Sequence, residues 1–309
     1  MNVPARVAVI GAGEIGSGWA ALFAAFGAEV RVVDPGRLAI SRANAALDCA
    51  RRIGVGDGGR AGSIRVSRSL ELALDGASWI QESLPEHDAL KRGALEALDA
   101  FVAPDAIIAS STSTLLADSL ARDRPYADRF LIAHPLQPVY AVPLVELCAG
   151  ARTAPATVDR AAATLRLLGR EPVIVRLPVA GLVANRLTAA LLREAFDLVS
   201  SGAIDADGLD LVVRRGLATG WIAAGALGTE AIGAGDGGLT AFVERFADPL
   251  AELWGSLARW TELDDTRRRA LLFALAAMEK TPVAGDECGW AERLARVARA
   301  ADQGSDESE

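Results

Sequence analysis

The sequence is poor in the residues that would point to a metal site, a redox motif or a nucleic-acid surface. Its three cysteines, Cys49, Cys148 and Cys288, form no CxxC pair, and two histidines are too few for a credible zinc set. The cysteines are therefore expected to be free thiols in a reducing compartment. Lys and Arg form no dense run and the net charge is −8, so a nucleic-acid partner is not expected.

Long apolar segments are also absent. No stretch approaches the roughly 20 uninterrupted apolar residues of a membrane-spanning helix. The N-terminus leads almost directly into the apolar run Val7–Ile10, without the basic start of a signal peptide. We therefore expect a cytoplasmic protein that has no membrane partner and ends in a polar, acidic, disordered tail over residues 302–309.

Short apolar runs alternate with helical patterns in the N-terminal half of the chain. Their lengths suit strands covered on both faces, so they predict an α/β fold with a doubly wound, mostly parallel sheet of the Rossmann type. The gap between the fifth and sixth runs is too short for a crossover helix, so we expect those two strands to pair antiparallel. The runs lie at Val7–Ile10, Val30–Val33, Trp79–Ile80, Ala106–Ala109, Phe130–Ala133, Leu144–Leu147 and Val173–Val175.

The pattern changes after Pro178, where strand-like runs give way to helical periodicity. Helices are predicted over 182–199, around 240–258 and over 265–280, and Asp205 is placed to cap a further helix. We therefore predict a dinucleotide-binding domain over residues 1–178 and a smaller, all-helical domain over residues 179–301.

A glycine-rich turn follows the first predicted strand and opens a helix. Gly11 permits the tight turn, Gly13 lets a pyrophosphate approach the backbone, and Gly16 lets the helix pack closely on the sheet. The phosphates would then lie at the helix N-terminus. The predicted cofactor-binding residues of this turn are Gly11, Gly13, Glu14, Ile15 and Gly16.

Asp34 ends the second predicted strand and is placed to accept hydrogen bonds from the adenosine ribose. Its charge would repel a 2′-phosphate, so NAD is favoured, although Arg37 nearby leaves NADP open. FAD uses the same fingerprint, but the rest of the chain argues against it. The alternative is a glycine turn in a βα unit that binds no nucleotide.

Two further segments carry candidate catalytic residues. The run Ser110–Thr114 follows one strand, and His134 follows another at the sheet edge where ligands bind in open α/β folds. An antiparallel ribbon could bring Glu146 beside His134. Oxidation of an alcohol needs a base for the hydroxyl proton, and a histidine oriented by a carboxylate is suited to that role. The alternative for His134 is a purely structural one.

These motifs occur in an order that resembles the L-3-hydroxyacyl-CoA dehydrogenase superfamily, and within it the branch of L-gulonate 3-dehydrogenase (lambda-crystallin) and L-carnitine dehydrogenase. The spacings of 21 residues from Ser113 to His134 and of 12 from His134 to Glu146 also match. The resemblance is carried by Gly11–Gly16 with Asp34, Gln81–Glu86 with Lys91, Ser110–Thr114, His134–Glu146 and Gly181–Arg186.

The resemblance implies a role for each position. His134 would be the general base and Glu146 its orienting partner, while Ser113 and Asn185 would hold the reacting oxygen. A second set, Glu86, Lys91 and Ser111, would bind the cofactor. Simpler explanations are open: Glu86 and Lys91 could form an exposed helical pair, and Ser113 and Asn185 could be helix caps.

The sequence departs from the family where the substrate is expected. Gln137 replaces the Asn of the family's HPxNP motif, and Gly220 stands where this branch is expected to have an arginine before an aromatic residue. The Gly-Pro that follows in the branch is here Gly225-Ala226, and Gly228 replaces a larger residue. Without the arginine a substrate carboxylate loses a bidentate partner, so a bulkier or less charged 3-hydroxyacyl substrate is our hypothesis.

Three readings compete. The first is an NAD-dependent enzyme that interconverts a 3-hydroxy and a 3-keto group on a small-molecule substrate, with L-gulonate or L-carnitine as specific alternatives. The second, a 3-hydroxyisobutyrate or imine-reductase type, would have a lysine where this chain has Asn185. The third is a non-catalytic, crystallin-like NAD-binding protein.

The resemblance also implies a homodimer formed through the helical domain. Large apolar residues of that domain could form the interface or the domain's own core. They are Trp254, Leu257, Trp260, Leu263, Leu271 and Leu272.

Overall fold

An eight-stranded sheet forms the centre of the first part of the chain. The computed structural model describes residues 2–56, 58–59, 62–276, 278 and 287–305. The strand order is β3-β2-β1-β4-β5-β6-β7-β8, and neighbours pair parallel except β6 with β7. The strands are β1 Arg6–Ile10, β2 Glu29–Val33, β3 Ser63–Ser67, β4 Trp79–Glu82, β5 Ile107–Ser110, β6 Phe130–Pro135, β7 Leu144–Ala149 and β8 Glu171–Ile174.

Helices connect the strands and make up the later part of the chain. In the sheet region they are α1 Glu14–Ala25, α2 Ala39–Arg52, α3 Leu70–Leu74, α4 Asp88–Leu98, α5 Ala117–Ala121 and α6 Pro155–Leu167. The later ones are α7 Leu182–Ser200, α8 Ala206–Val212, α9 Ala218–Gly233, α10 Gly238–Ser256, α11 Asp265–Leu275 and α12 Glu287–Ser305. The predicted α/β class with a doubly wound sheet and a helical second part is confirmed.

Each of the seven predicted apolar runs coincides with a strand to within one residue, and the predicted antiparallel pairing of β6 with β7 is confirmed. The strand that the sequence did not reveal is β3, Ser63–Ser67. It carries only two apolar residues, alternating with polar ones, and none of its residues is fully buried because it lies at the sheet edge. Strands of this kind lack the continuous apolar run by which the others were recognised.

Apolar cores lie on both faces of the sheet. The larger packs α1 and α2 against the sheet around Trp19, Phe23 and Trp79. The second lies on the other face and includes Ile80 and Leu95. The order reverses at β1, which pairs with β2 on one side and β4 on the other. The crevice outside the carboxyl ends of the strands at such a point is where ligands bind in open α/β sheets.

The chain divides into two compact units. The first contains residues 2–185 and 287–298 of the described chain, and the second contains the rest. The sequence predicts the division at residue 178 and places all of 179–301 in one helical domain. Instead, most of α12 belongs to the first unit, where Ala291 and Ala295 are buried in the larger core.

The second unit is helical, as predicted. Its small core is built on Val199, Ala206 and Leu271, and Asp205 caps α8 by accepting from the Gly208 N–H at 2.6 Å. Helix α9 is kinked at Gly225, whose φ of 74° lies in the left-handed region that favours glycine.

Two expectations for the C-terminal part need correction or fall partly outside the described residues. Helix α11 ends at Leu275, earlier than the predicted 280, and residues 277, 279 and 280 lie outside the described chain. The predicted disordered tail over 302–309 is wrong for its first half, because α12 continues to Ser305. Residues 306–309 are outside the described chain.

The cysteines also differ from expectation. Cys148 is free and buried, but Cys49 on α2 and Cys288 on α12 form a disulfide, with Cα atoms 5.5 Å apart. The pairing follows from the packing of α12 on the first unit, which the 239-residue separation in sequence concealed. Among the described helices, none combines the length and the apolar character needed to cross a membrane.

Candidate active site

A cavity of about 380 Å³ opens at the carboxyl ends of the strands in the first unit. It collects polar side chains from the segments that follow β4, β5 and β6 and from the first turn of α7. Its lining residues are Ile15, Ser83, Leu84, Glu86, Lys91, Ser111, Ser113, His134, Pro135, Leu136, Gln137 and Asn185.

The glycine-rich turn has the geometry that a dinucleotide requires. A Cβ on Gly16 would collide with the carbonyl oxygen of Gly11, and Gly11 itself has a φ of +94°. Gly13 is the exposed N-cap of α1, faces open space, and places no side chain over the first N–H groups of the helix. The backbone N–H groups at the start of α1, which include those of Glu14 and Ile15, are therefore available to a pyrophosphate.

Asp34 closes the same turn from the end of β2. One carboxylate oxygen accepts from the Ala12 N–H and the other from the Gly36 N–H, each at 2.6 Å. The carboxylate is half-buried, and each oxygen keeps a lone pair for a ribose hydroxyl. The turn and Asp34 thus fit NAD, and they lie next to the cavity, whose lining includes Ile15 of this turn.

His134 and Glu146 are brought together by the antiparallel pairing of β6 with β7, in which they are directly opposite. His134 Nδ1 lies 2.9 Å from Glu146 Oε2, and both side chains are almost completely buried. An ionised carboxylate only accepts hydrogen bonds, so Nδ1 carries the proton of the neutral ring. Nε2 is then left with the lone pair that a general base requires.

Glu146 has a second contact that the sequence did not reveal. Its Oε1 accepts from the backbone N–H groups of Val183 and Ala184, at 2.8 and 3.0 Å. These are first-turn N–H groups of α7, which have no partner within the helix. One carboxylate therefore both orients His134 and holds the helix start that carries Asn185 into the cavity lining.

Ser113 is held by its backbone. Its N–H donates to Glu86 Oε1 at 3.1 Å, and its carbonyl accepts from the Gly181 N–H at 2.9 Å. Its side chain lines the same cavity as His134 and Asn185. The structure therefore brings together the four residues expected to be catalytic, three in the cavity lining and Glu146 directly behind His134.

Glu86 accepts several hydrogen bonds from the turn that follows β5. Its Oε1 accepts from the Thr112 and Thr114 hydroxyls and from the Ser113 and Thr114 N–H groups, at 2.6 to 3.1 Å. Partial burial raises the pKa of Glu86, but the hydrogen bonds from Thr112 and Thr114 and the charge of Lys91 outweigh it and lower the pKa to about 2. Glu86 is thus ionised at neutral pH and shapes the turn that carries Ser113.

Lys91 is completely buried, which rules out the exposed helical pair considered from sequence. Its Nζ donates to both oxygens of Glu82, at 2.9 and 3.1 Å, and to the Leu84 carbonyl at 2.9 Å. Glu82 ends β4, is also completely buried, and accepts from the Ser110 hydroxyl as well. Sequence reasoning missed Glu82, although a carboxylate at the end of an apolar strand was a usable signal.

Arg170 holds the loop that follows His134. Its guanidinium donates to the carbonyl of Val142 at 3.1 Å and to those of Val139 and Tyr140 at 3.4 Å. Burial lowers the pKa of Arg170 to about 10. The loop carries Gln137, which is exposed in the cavity lining, so Arg170 contributes to the shape of the site from beneath it.

Comparison with known proteins identifies the family of this chain. Residues 6–177, more than half of the chain, match the model of the 3-hydroxyacyl-CoA dehydrogenase NAD-binding domain. The L-carnitine dehydrogenase/betainyl-CoA thioesterase of Rhizobium meliloti (strain 1021) is 34% identical over 298 residues. That alignment covers 95% of this chain but 59% of the relative, so the chain spans less than two thirds of its length.

A shorter relative and a solved structure match over most of their lengths. The L-carnitine dehydrogenase of Streptomyces coelicolor is 37% identical over 263 residues, covering 84% of this chain and 82% of that protein. The crystal structure of 5-formyl-3-hydroxy-2-methylpyridine 4-carboxylic acid 5-dehydrogenase, an NAD+-dependent dismutase, superimposes with a TM-score of 0.82 at 26% identity, covering 98% of this chain and 99% of that one. The chain therefore belongs to the 3-hydroxyacyl-CoA dehydrogenase superfamily, in the branch that contains L-carnitine dehydrogenase.

Proposed function

We propose that the protein interconverts a 3-hydroxy and a 3-keto group on a 3-hydroxyacyl or 3-hydroxy acid substrate. The observation that carries the proposal is the 2.9 Å contact between His134 Nδ1 and Glu146 Oε2 at the wall of the cavity. This contact supports the role of His134 as a general base. Its Nε2 would accept the hydroxyl proton of the substrate during oxidation and return it during reduction.

Glu146 has a matching role in this proposal. When His134 takes up the proton, the imidazolium is stabilised by a carboxylate that is buried and cannot turn away, because its other oxygen is held by Val183 and Ala184. A fixed charge at this position lowers the free energy of the protonated ring without a cost of reorganisation.

Ser113 and Asn185 are assigned to the reacting oxygen. Both line the cavity with His134, and both side chains offer hydrogen-bond donors for the charge that develops there. Bound NAD supplies the acceptor for the hydride that leaves the substrate carbon. Ile15, Glu86, Lys91 and Ser111 are assigned to the nicotinamide side of the same cavity.

The substrate proposal is a 3-hydroxy compound that does not need an arginine at position 220. The kink of α9 brings Thr229 against Gly220, so that a Cβ at 220 would lie 3.0 Å from the Thr229 Cγ2. A long cationic side chain would need Thr229 to move. This favours a bulkier or less charged 3-hydroxyacyl group over a free sugar acid.

L-Carnitine is the second candidate, because two relatives whose names include L-carnitine dehydrogenase are 34% and 37% identical over most of this chain. L-Gulonate follows from the branch resemblance described above and has weaker support.

The test is the formation of NADH, followed by absorbance, with a panel of 3-hydroxy substrates. The panel contains 3-hydroxyacyl thioesters, free 3-hydroxybutyrate, L-carnitine and L-gulonate. The matched variants are His134→Ala and His87→Ala, because His87 is the other histidine and lies exposed at the start of α4.

We expect His134→Ala to lower kcat by about 100- to 10,000-fold and His87→Ala to leave it nearly unchanged. Preference for acyl thioesters supports the favoured substrate, and clear preference for L-carnitine or L-gulonate replaces it. Turnover that is equal in the two histidine variants would contradict the assignment of the base.

We also propose that the protein is a cytoplasmic homodimer joined through its second unit. Of the six apolar residues considered from sequence, Leu271 is buried in the core of that unit, whereas Trp254 and Leu272 are each 60% exposed. Phe273 is 84% exposed. Large apolar side chains that are so strongly exposed support an interface with a second copy.

A further inference from the structure

Ser111 is the centre of a hydrogen-bonded chain beneath the cavity. Its hydroxyl lies 3.1 Å from the indole nitrogen of Trp19, 2.9 Å from Gln81 Nε2 and 2.9 Å from the Ser83 hydroxyl. Trp79 extends the chain, since its indole nitrogen lies 3.0 Å from Gln81 Oε1. Trp19, Trp79 and Gln81 are completely buried, whereas Ser83 and Ser111 are half-buried and line the cavity.

The two indoles determine the direction of every bond in this chain. An indole N–H can only donate, so the atom of Gln81 that faces Trp79 must be its oxygen. The amide nitrogen of Gln81 therefore faces Ser111 and donates to it, and Trp19 donates to the same oxygen. The Ser111 oxygen has two lone pairs, and these two donors occupy both.

Because both lone pairs of the Ser111 oxygen are occupied, Ser111 can contact Ser83 only as a donor. The Ser111 hydroxyl proton therefore points to the Ser83 oxygen. Ser83 is then an acceptor in this contact, and its own proton is not used in it. Across the residues that the structure describes, Ser111 is the hydrogen-bond partner of the Ser83 hydroxyl. Ser83 therefore keeps one donor for a group in the cavity that it lines.

The surroundings of Ser83 indicate which group that is. A Cβ on Gly16 would lie 3.2 Å from the Ser83 Cβ, and one on Gly11 would lie 2.7 Å from the Ser83 carbonyl oxygen. Ser83 thus lies against the glycine-rich turn on one side, and its cavity contains His134 and Ser113 on the other. The nicotinamide half of a bound dinucleotide must pass between these two.

We propose that the Ser83 hydroxyl donates a hydrogen bond to an oxygen of the nicotinamide half of NAD, and that Ser111, assigned above to direct contact, is instead the residue that positions Ser83. The proposal rests on the proposed function for its placement of the nicotinamide beside His134. The acceptor is an uncharged or anionic oxygen, which the carboxamide, the ribose and the phosphates all offer.

The first measurement is the dissociation constant of NADH, taken from nucleotide fluorescence without any substrate. Ser83→Ala should weaken binding by about 2- to 13-fold, the range expected for one net hydrogen bond. Ser119→Ala is the matched control, because its exposed hydroxyl bonds to the Leu116 carbonyl at 2.7 Å and lies outside the cavity lining. An unchanged dissociation constant for Ser83→Ala would overturn the proposal.

The reduced thionicotinamide analogue of NADH separates the sources of the oxygen, because sulfur replaces the carboxamide oxygen and is a weak acceptor. If Ser83 donates to the carboxamide, Ser83→Ala should weaken NADH and leave the analogue nearly unaffected. Equal weakening of both nucleotides assigns the bond to the ribose or phosphate oxygens. Either result supports the donor role.

A double-mutant comparison tests the positioning role of Ser111. If Ser111 acts through Ser83, Ser111→Ala should weaken NADH in the parent chain and have no further effect in the Ser83→Ala background. Independent, additive losses would overturn this part of the proposal, and thermal melts show whether each variant is folded. A protein that follows this binding pattern but oxidises no 3-hydroxy substrate would refute the proposed function alone.

Discussion

The two units of the chain place apolar and polar groups in opposite ways. The first unit buries Trp19, Trp79 and Phe23 completely and also buries polar groups, including the Glu82–Lys91 pair. The second unit has a small core and leaves Trp254 and other large apolar side chains exposed. A unit that buries charges must provide a partner for each of them. Large exposed apolar side chains, by contrast, are the kind of surface on which the proposed dimer would form.

The first prediction asks whether the site depends on one buried carboxylate. Glu146→Gln keeps an oxygen that can accept from Val183 and Ala184, but it loses the charge that faces His134. We expect kcat to fall by about 100- to 10,000-fold in both Glu146→Gln and Glu146→Ala. Only the Ala variant should also lose about 1–2 kcal/mol of unfolding free energy, because it leaves two helix N–H groups without an acceptor.

The measurements are steady-state kinetics and urea denaturation of both variants. A Glu146→Gln variant with parental kcat would mean that the carboxylate serves only to start α7, and the proposed catalytic role of the first unit would lose its main support.

The second prediction compares buried and exposed ion pairs. Lys91→Met leaves Glu82 as an uncompensated buried carboxylate and should lower the unfolding free energy by about 3–5 kcal/mol. Removing both charges, in Glu82→Gln with Lys91→Met, should recover part of that loss.

The exposed pair Arg268–Asp265 in the second unit, with atoms 3.6 Å apart, is the control. Asp265→Asn should change the unfolding free energy by less than about 1 kcal/mol. Similar losses for Lys91→Met and Asp265→Asn in urea denaturation would show that burial is not what separates the two pairs.

The third prediction uses two adjacent leucines of α11 to separate core from interface. Leu271 is 5% exposed and Leu272 is 60% exposed. Leu271→Ala should lower the unfolding free energy by about 2–5 kcal/mol, because it leaves a cavity in the core. Leu272→Ala should affect the folded unit little, but it should weaken the proposed dimer by up to about 2 kcal/mol.

Sedimentation equilibrium over a range of concentrations measures the second effect. A parent chain that sediments as a monomer, or a dimer that Leu272→Ala and Phe273→Ser leave equally tight, would remove this face from the interface.

The smallest expected effect concerns pH. The pKa of Glu86 is lowered from an ordinary value of 4.5 to about 2. Its contribution to stability is therefore fully present above about pH 4.5 and is lost as the pH falls towards 2. Because the side chain is partly exposed, we expect only about 1 kcal/mol.

The check is the difference in unfolding free energy between the parent and Glu86→Gln, measured at several pH values. The difference should be largest at neutral pH and shrink towards pH 2. A difference that stays constant across this range would contradict the lowered pKa.

Much of the first unit could be predicted because its signals are local. A buried parallel strand reads as a continuous apolar run, and Gly11, Gly16 and Asp34 have roles that follow from their distance to such a strand. Strand β3 could not be found in this way, because its two apolar residues alternate with polar ones and form no continuous run. The disulfide between Cys49 and Cys288 depends on where α12 packs, which no local pattern encodes.

The same distinction between local sequence signals and long-range packing applies to the candidate site. The sequence predicted His134 and Glu146 as partners from the family resemblance and from a 12-residue spacing, which across a short antiparallel ribbon can place two strand residues opposite each other. It could not reveal that the second oxygen of Glu146 holds the start of α7, since that contact joins segments 37 residues apart.

The sequence by itself determined the fold class and the cofactor, because these follow from residue types at short spacings, and it predicted the candidate catalytic residues. Tertiary structure alone decided which polar atoms are already satisfied. Lys91 is bound to Glu82. Both lone pairs of the Ser111 hydroxyl oxygen are occupied by donors from Trp19 and Gln81, which are distant from it in the sequence. The number of hydrogen bonds that an atom can make is a local property, but the partners that occupy them are set by the packing of the whole unit.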